Sequence, residues 1–346
     1  RLITPGGQLG MLCNPDYNHH HESLNQHTRL HLRPADRIEM AEYDLCLAWS
    51  WEYDLGLVAL LRRACAAADL RLLEVTPQTL QAVIAGLEDR SCTFGALFDR
   101  ASDCDEAFLG LNSWALTRDV QRLNRRELAV TAWNKAVLHP LFEARGIPVP
   151  HTIVLRPFCE KPDHPVIDLS SVGPAFTVKP ARQGGGDGVR LQATSWDQVV
   201  AARAEFPHDE YLIQQSIVPL ELDSRPAWFR VLNCFDRVYP CWWNQRTHVY
   251  IPVTEEEERA LNLGPLRDIT ARIAQTCGLE LFSSEVALSV DGQFYVIDYV
   301  NDPVDLRLQS QAVDGVPDCI VQAIATRIVD WVKSSDSGLT APEDPA

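Results

Sequence analysis

The sequence predicts an α/β protein: an N-terminal domain with an open parallel sheet, followed by a longer α+β region built from hairpin-paired strands. Three observations carry this. From Tyr43 to Phe98, apolar runs alternate with segments of helical spacing, the order that produces a parallel sheet with helices on its faces. Gly146-Ile147-Pro148-Val149-Pro150 stops one helix and starts extended chain, marking the best domain boundary. Beyond it, apolar runs are separated by short polar turns, closing with Asp291-Gly292, a type I′ hairpin signal.

In order along the chain, residues 1–40 are polar, rich in His, Asn and Pro, and lack a sustained period, so they read as an extended arm. Gly6, Gly7 and Gly10 there form a turn rather than a dinucleotide loop, because no strand precedes them. His19–His21 in this polar setting are solvated rather than metal ligands. Strands are expected at Asp44–Trp49, Leu70–Val75 and Phe94–Phe98, with helices at Leu55–Ala68 and from the Thr76-Pro77 cap to Leu87. Such sheets bind ligands at the carboxyl ends of their strands, here Ser50, Trp51, Glu52, Asp54, Thr76, Asp99 and Arg100. Ser50 and Thr76 serve equally well as helix caps. A basic helical stretch covers 118–145. Strands follow at His151–Leu155, Ala175–Lys179 and Tyr211–Ile217, with a helix at Ser195–Glu205 and a Pro-rich surface insertion at Arg156–Pro174. Trp228–Phe235 pairs with Arg237–Trp243, a helix runs from about Thr254 to Cys277 with a break at Gly264-Pro265, and Leu281–Val290 pairs with Gln293–Tyr299. A last helix covers Pro317–Lys333, and Ser334–Ala346 is disordered.

Composition narrows the function. The 346 residues are 46% hydrophobic and 23% charged, an ordinary globular balance that excludes collagen-like and wholly disordered classes. With 47 acidic against 31 basic side chains, the formal charge of -16 argues against a nucleic-acid partner. No apolar run approaches the roughly 20 residues that span a bilayer, and no basic-then-apolar leader opens the sequence, so a cytoplasmic protein without membrane contact is expected. The 10 cysteines form no CxxC pair, which suggests neither a zinc site nor a disulfide framework.

Three clusters carry chemistry. In Phe176-Thr-Val-Lys179-Pro-Ala-Arg-Gln-Gly184-Gly185-Gly186-Asp-Gly188, a strand ends in a cation and runs into a flexible loop whose N–H groups can close over phosphates. Alone, it reads equally as a Gly-rich hairpin loop. Glu285 and Asp298 lie at equal distances from the Asp291-Gly292 turn, which sets the two carboxylates across from each other, with Asn301 beyond. These are hard oxygen donors suited to Mg²⁺, and without a cation they would repel. Gln214, Gln215, Ile217 and Glu221 follow an apolar strand whose edge can offer backbone groups to a nucleobase and a carboxylate to a ribose; an edge strand running into a loop has the same pattern. Separately, alternation along Tyr239–Trp243 buries one of Trp242 and Trp243 and leaves the other a candidate for stacking on a substrate.

Together these elements resemble the ATP-grasp superfamily over roughly residues 44–333, in family order. Trp133-Asn134-Lys135 followed by Gly146-Ile147-Pro148-Val149-Pro150 is similar to the family's first nucleotide lysine and the start of its ATP-binding lobe. Lys179 with Gly184, Gly185, Gly186 and Gly188 looks like the second lysine and the phosphate-covering loop. Gln214, Gln215, Ile217 and Glu221 match the hinge that holds adenine and ribose, and Glu285, Asp298 and Asn301 match the magnesium triad. One departure stands out: the family shows carboxylate-x-Asn, whereas Asp298-Tyr-Val-Asn301 holds an extra residue. Strand alternation puts Asp298 and Asn301 on opposite faces unless a bulge intervenes, with Asp302 and Asp305 as alternate carboxylates.

The resemblance implies an ATP-grasp clamp of two lobes behind a Rossmann-like domain. The chain then divides into an extended arm (1–40), a Rossmann-like domain (41–117), a helical linker carrying Lys135 (118–150), a lobe with the Gly-rich loop (151–225), a lobe with the metal site (226–333) and a disordered tail (334–346). It implies a Mg²⁺- and ATP-dependent carboxylate-amine, or carboxylate-thiol, ligase that works through an acyl phosphate and releases ADP and phosphate. A small-molecule kinase or a degenerate nucleotide-binding protein are the alternatives. The partners are small carboxylates and amines, with a homodimer as the default assembly. Arg230, Arg246 and Arg307 are the candidate cations for the acyl-phosphate transition state, Arg307 also as a bidentate clamp on a substrate carboxylate.

Overall fold

The computed structural model describes residues 41–162 and 167–336, which fold as two compact units: 41–52 with 65–122, and 53–64 with 123–336. The arm at 1–40, with its Gly turn and His cluster, and the tail beyond Asp336 lie outside the described residues.

In the first unit, β1 (Ala41–Trp49), β2 (Leu72–Val75), β3 (Cys92–Arg100) and β4 (Gln121–Leu123) form a sheet in the order β2-β1-β3-β4, with β1 parallel to both neighbours. The central run Leu45–Ala48 is fully buried, as expected for a parallel strand covered on both faces. Helices α2 (Leu80–Glu88) and α3 (Leu109–Thr117) close a core of Cys46, Val75, Leu87, Phe94, Leu97 and Phe108. Helix α1 (Leu55–Ala67) spans the boundary between the units. Two expectations change. Helix α2 starts four residues after Thr76, with Thr79 as the capping residue whose Oγ1 accepts from the Thr76 N–H, so Pro77 lies in the preceding turn. The stretch read as helix from 118 includes β4 and resolves into α4 (Arg126–Ala132) and α5 (Lys135–Ala144).

The second unit holds two antiparallel sheets. One has the order β5-β8-β6-β7, from β5 (Thr152–Leu155), β6 (Phe176–Pro180), β7 (Arg190–Ala193) and β8 (Tyr211–Gln215). Helix α6 (Trp196–Arg203) packs on it, started by a capping box between Ser195 and Gln198. The Pro-rich stretch read as a surface insertion is tied down: Val172 is fully buried beside Phe176 and Tyr211, and buried Arg203 donates to the carbonyls of Arg156 and Lys161.

The other sheet has the order β13-β12-β11-β14-β15, from β11 (Trp228–Cys234), β12 (Arg237–Trp243), β13 (Tyr250–Pro252), β14 (Leu281–Leu288) and β15 (Phe294–Asn301). Beside it β9 (Glu221–Leu222) and β10 (Arg225–Pro226) form a small ribbon. Helix α7 (Glu255–Ala260) and helix α8 (Pro265–Cys277) flank the break at Gly264; Pro265 opens α8, and Gly278 ends it in the left-handed conformation at φ 66°. The core of this lobe runs from Phe142 and Ile147 through Phe229, Ile273 and Phe282 to Tyr299. The last helix, α9 (Asp318–Asp336), continues past Lys333, so Ser334–Asp336 are helical rather than part of a disordered tail.

The β14–β15 turn differs in type from the expected one. Ser289 N–H bonds Gln293 O, Gly292 N–H bonds Ser289 O, and only Gly292 is left-handed, at φ 78°. This is a three-residue loop, a type I turn followed by a left-handed glycine.

Candidate active site in the second unit

Lys179 sits one residue from the end of β6 and is 6% exposed. Its Nζ donates to Gln214 Oε1 and to the Ile297 carbonyl, both at 2.8 Å, and lies 5.3 Å from the centre of the Tyr299 ring. Burial is the main cause that lowers its pKa to about 8; Asp298 and Glu285 oppose the shift, while nearby Lys135 adds to it. Lys135 is placed by a different element. Asn134 caps α5 by accepting from the Ala136 and Val137 N–H groups, which fixes Lys135 as the first helical residue. From there its Nζ donates to the Gln183 carbonyl at 3.0 Å and stands 3.6 Å from Asp298 Oδ1. Two lysines from different elements thus converge beside the loop that carries Gly184–Gly186.

The carboxylates come from the hairpin. Glu285 pairs directly with Asp298 and Ser283 with Asn301, so a two-residue step along β14 spans three residues along β15. The extra residue is a bulge, and it returns Asn301 to the face of Asp298, where Asn301 Nδ2 donates to the Ser283 carbonyl at 3.4 Å. Burial alone would raise the pKa of Asp298, but Lys135, Lys179 and Arg230 outweigh it and hold the carboxyl below its ordinary value. Glu285 accepts from Trp228 Nε1 and pairs with Arg230, whose Nε also donates to Ser283 Oγ. Glu285, Asp298 and Asn301 are hard oxygen donors on one face of the hairpin, the residue types that could hold a divalent cation such as Mg²⁺.

These groups line a cleft of about 330 Å³, within the range of small-molecule sites. Of the residues singled out in the sequence, Lys135, Lys179, Gly184, Gly185, Gly186, Gln214, Gln215, Ile217, Glu285 and Asp298 border it. Gly188, Glu221, Asn301, Arg230, Arg246 and Arg307 do not. Gly188 has a packing reason instead: a Cβ there would meet Phe206 at 2.6 Å, and its φ is 69°. Glu221 is exposed on β9. Gln214 differs from the expected base-binding side chain, because its whole amide is used inside the protein: Oε1 accepts from Lys179, and Nε2 donates to Thr152 Oγ1 and Tyr299 OH. The wall also contains residues that no sequence pattern marks, among them Trp228, Gln245, Ile297 and Ser216, whose buried hydroxyl has no partner. Apolar or neutral side chains in a wall carry no charge pattern that distinguishes them in advance.

The three arginines separate. Arg230 stands beside Glu285. Arg246 is exposed in the β12–β13 loop, next to cleft-lining Gln245. Arg307 is clamped between Asp305 and Asp314, each accepting more than one of its N–H groups, so it is an ion-pair hub rather than an open carboxylate clamp. The alternate carboxylates are likewise engaged: Asp302 accepts from Asn124 and Trp133, and Asp305 from Arg307. Trp242 is buried against Phe229 and Arg225, while the partly buried Trp243 stacks on His248 at 5.4 Å and has Arg230 at 5.2 Å. Trp243 is therefore already stacked within the protein. In the first unit, Asp99 accepts from the backbone N–H groups of Ala101 and Ser102 and from the side chains of Ser102 and Asn112, which turns this strand-end carboxylate inward.

No protein-family profile matches the chain, and no curated protein sequence is significantly similar to it. Solved structures are similar in fold. A RimK-domain ATP-grasp protein from Sphaerobacter thermophilus superposes at TM-score 0.56 with 20% identity, over 83% of this chain and 98% of that one. The ATP-grasp ligase PsnB, solved with a minimal precursor, Mg and ADP, gives TM-score 0.57 with 15% identity, over 85% of this chain and 98% of its own. D-alanine–D-alanine ligase from Bacillus anthracis gives 0.58 with 12% identity, over 85% and 97%.

Proposed function

Because this chain has the ATP-grasp fold, we propose that it is an ATP-dependent ligase that joins a carboxylate to an amine through an acyl phosphate, with Mg²⁺ as the metal. The observation that carries the reading is the convergence in one cleft of Lys135, Lys179 and the facing carboxylates Glu285 and Asp298.

Phosphoryl transfer needs positioning and charge stabilisation more than a protein nucleophile. Lys135 and Lys179 hold the nucleotide phosphates, and the Gly184–Gly186 loop supplies backbone N–H groups above them. The three glycines meet no atom within 4 Å of where a Cβ would stand, so the loop has room to move. Glu285, Asp298 and Asn301 would hold the metal, which when bound neutralises charge on the β and γ phosphates. Gln215 and Ile217 border the cleft and would meet the base with their backbone. Glu221 would reach a ribose only by a change in its ribbon.

In the first step a substrate carboxylate oxygen takes the γ-phosphoryl group, and the bond to ADP breaks. In the second the amine attacks the acyl carbon, loses a proton, and phosphate leaves. Arg230 and the two lysines give three cations beside two carboxylates, a local positive surplus that stabilises both anionic transition states. Arg246 would add a cation from the β12–β13 loop.

The test is ADP release from purified protein and Mg-ATP across a panel of carboxylates, with and without amines. PsnB was solved with a precursor peptide, so peptides with acidic side chains belong in the panel. ADP formation that requires both a carboxylate and an amine supports the proposal. A stable phosphorylated product without amine dependence overturns the ligase reading, and no binding of Mg-ATP by calorimetry overturns it entirely.

A further inference from the structure

Lys179 reaches the cleft from a buried chain of hydrogen-bonded polar groups: Gln214, Thr152, Tyr299 and His139. A lysine Nζ is only a donor, so the Gln214 atom 2.8 Å away must be its carbonyl oxygen. The Thr152 hydroxyl donates to Pro150 O at 2.8 Å, which leaves Thr152 Oγ1 to accept from Gln214 Nε2 at 3.2 Å. The second Gln214 N–H goes to Tyr299 OH at 3.1 Å. Tyr299 OH also lies 2.7 Å from His139 Nδ1, and His139 Nε2 is 3.5 Å from Glu143 Oε1; with the ring hydrogen on Nε2, the Tyr299 hydroxyl donates to Nδ1. Both N–H groups and the oxygen of the Gln214 amide have partners, and Gln214 is only 2% exposed. Reversing the amide would place an NH₂ against the lysine, two donors facing each other in a buried setting, and would oblige the Thr152 and Tyr299 hydroxyls to leave their present acceptors and donate to the amide oxygen.

We infer that Thr152, Tyr299 and His139 are positioning residues that lock the Gln214 amide in the one orientation able to aim Lys179 into the cleft. The inference rests on the reading of Lys179 as a phosphate-holding residue. Tyr299 suits this role because its ring is fully buried at 5.2 Å from Phe142, so its hydroxyl is held by packing and not only by its hydrogen bonds. With the lock removed, the amide can rotate and Lys179 loses a partner, although no atom touching the nucleotide has changed.

The experiment is a double-mutant cycle in the full chain. Tyr299→Phe removes one hydroxyl and Thr152→Val the other acceptor; each should weaken Mg-ADP binding about tenfold by calorimetry, the scale of one hydrogen bond. In a Gln214→Glu background, where a carboxylate accepts from Lys179 in either orientation, Tyr299→Phe should cost less than about twofold. A parallel measurement needs no nucleotide. The Gln214 side-chain NH₂ protons, identified by their loss in Gln214→Glu, should exchange slowly in the parent protein and at least about tenfold faster in Tyr299→Phe, with thermal unfolding confirming that the variants fold. Equal losses of affinity in both backgrounds, or unchanged exchange in both Tyr299→Phe and Thr152→Val, would overturn the inference. If the parent binds no Mg-ADP, the ligase reading falls, and the exchange measurement still decides the lock.

Discussion

Arg230 and Glu285 stand directly opposite each other on β11 and β14 and close an ion pair, with side chains 15% and 17% exposed. The pair joins the metal-side carboxylate to the cation nearest it, so each residue has a structural and a chemical duty. Removing one partner of a buried pair costs about 3 to 5 kcal/mol; the residual exposure here points to the lower end. Arg230→Ala should therefore lose about 3 kcal/mol in urea unfolding, whereas Arg230→Met with Glu285→Met should recover part of it. A loss below about 1 kcal/mol, the value of a surface pair, would show that the pair is solvated.

Asp298→Asn separates binding from turnover. It keeps the size of the side chain and removes the charge that faces Lys135 at 3.6 Å. ADP release should fall below detection while calorimetry still registers nucleotide, weakened in part. Normal turnover would remove Asp298 from the metal site.

Lys179→Ala should raise the ATP concentration needed for half-maximal rate by at least about tenfold, the effect of one charge-assisted hydrogen bond. The same residue sets a pH dependence. Its pKa is about 8 in the folded protein against an ordinary value of 10.5, so between those values the unfolded chain binds more protons and stability rises with pH. This contribution is complete above the upper value and lost as pH falls through the lower. The rise should be absent in Lys179→Met, as urea unfolding at a series of pH values will show.

Two loop glycines should respond in opposite ways. Gly188→Ala puts a methyl 2.6 Å from Phe206 and strains a residue at φ 69°, so it should destabilise by more than about 1 kcal/mol. Gly184→Ala meets nothing within 4 Å and should leave the melting temperature unchanged. The reverse order of melting temperatures would be incompatible with this loop.

Thiol labelling tests the packing. Burial raises the Cys65 pKa to about 11 and those of Cys234, Cys241 and Cys277 to about 12, and Cys46 is raised as well. Because the thiolate is the reactive form, these five should stay unlabelled at pH 8 in the native protein. Exposed Cys104, Cys159 and Cys319 should react, as peptide mapping will reveal.

Much of this was legible in the residues because it depends on local rules. Period and punctuation locate the strands that carry Lys179, Glu285 and Asp298; counting from Asp291-Gly292 pairs the two carboxylates, but the three-residue loop alone would set Glu285 against Ile297, and a register shift between Glu285 and Val286 brings Asp298 opposite it. What escaped depends on partners far away in sequence. Nothing near Gln214 says that its amide is used by Lys179, Thr152 and Tyr299, and nothing near Arg307 says that Asp314 closes on it. The helix at 118–125 failed for a similar reason: Gln121–Leu123 is a strand because a sheet edge accepts it, not because three residues announce one.

The bulge between Asp298 and Asn301 acts on β15 as a compensating insertion acts on a reading frame. One added residue would turn every later side chain to the wrong side; a local slack absorbs it and restores the phase at Asn301. A text pattern written as carboxylate, one residue, asparagine passes over this chain, while a comparison of ladder registers finds it. Along a strand, the quantity to compare between proteins is parity of face, not the number of letters between two residues.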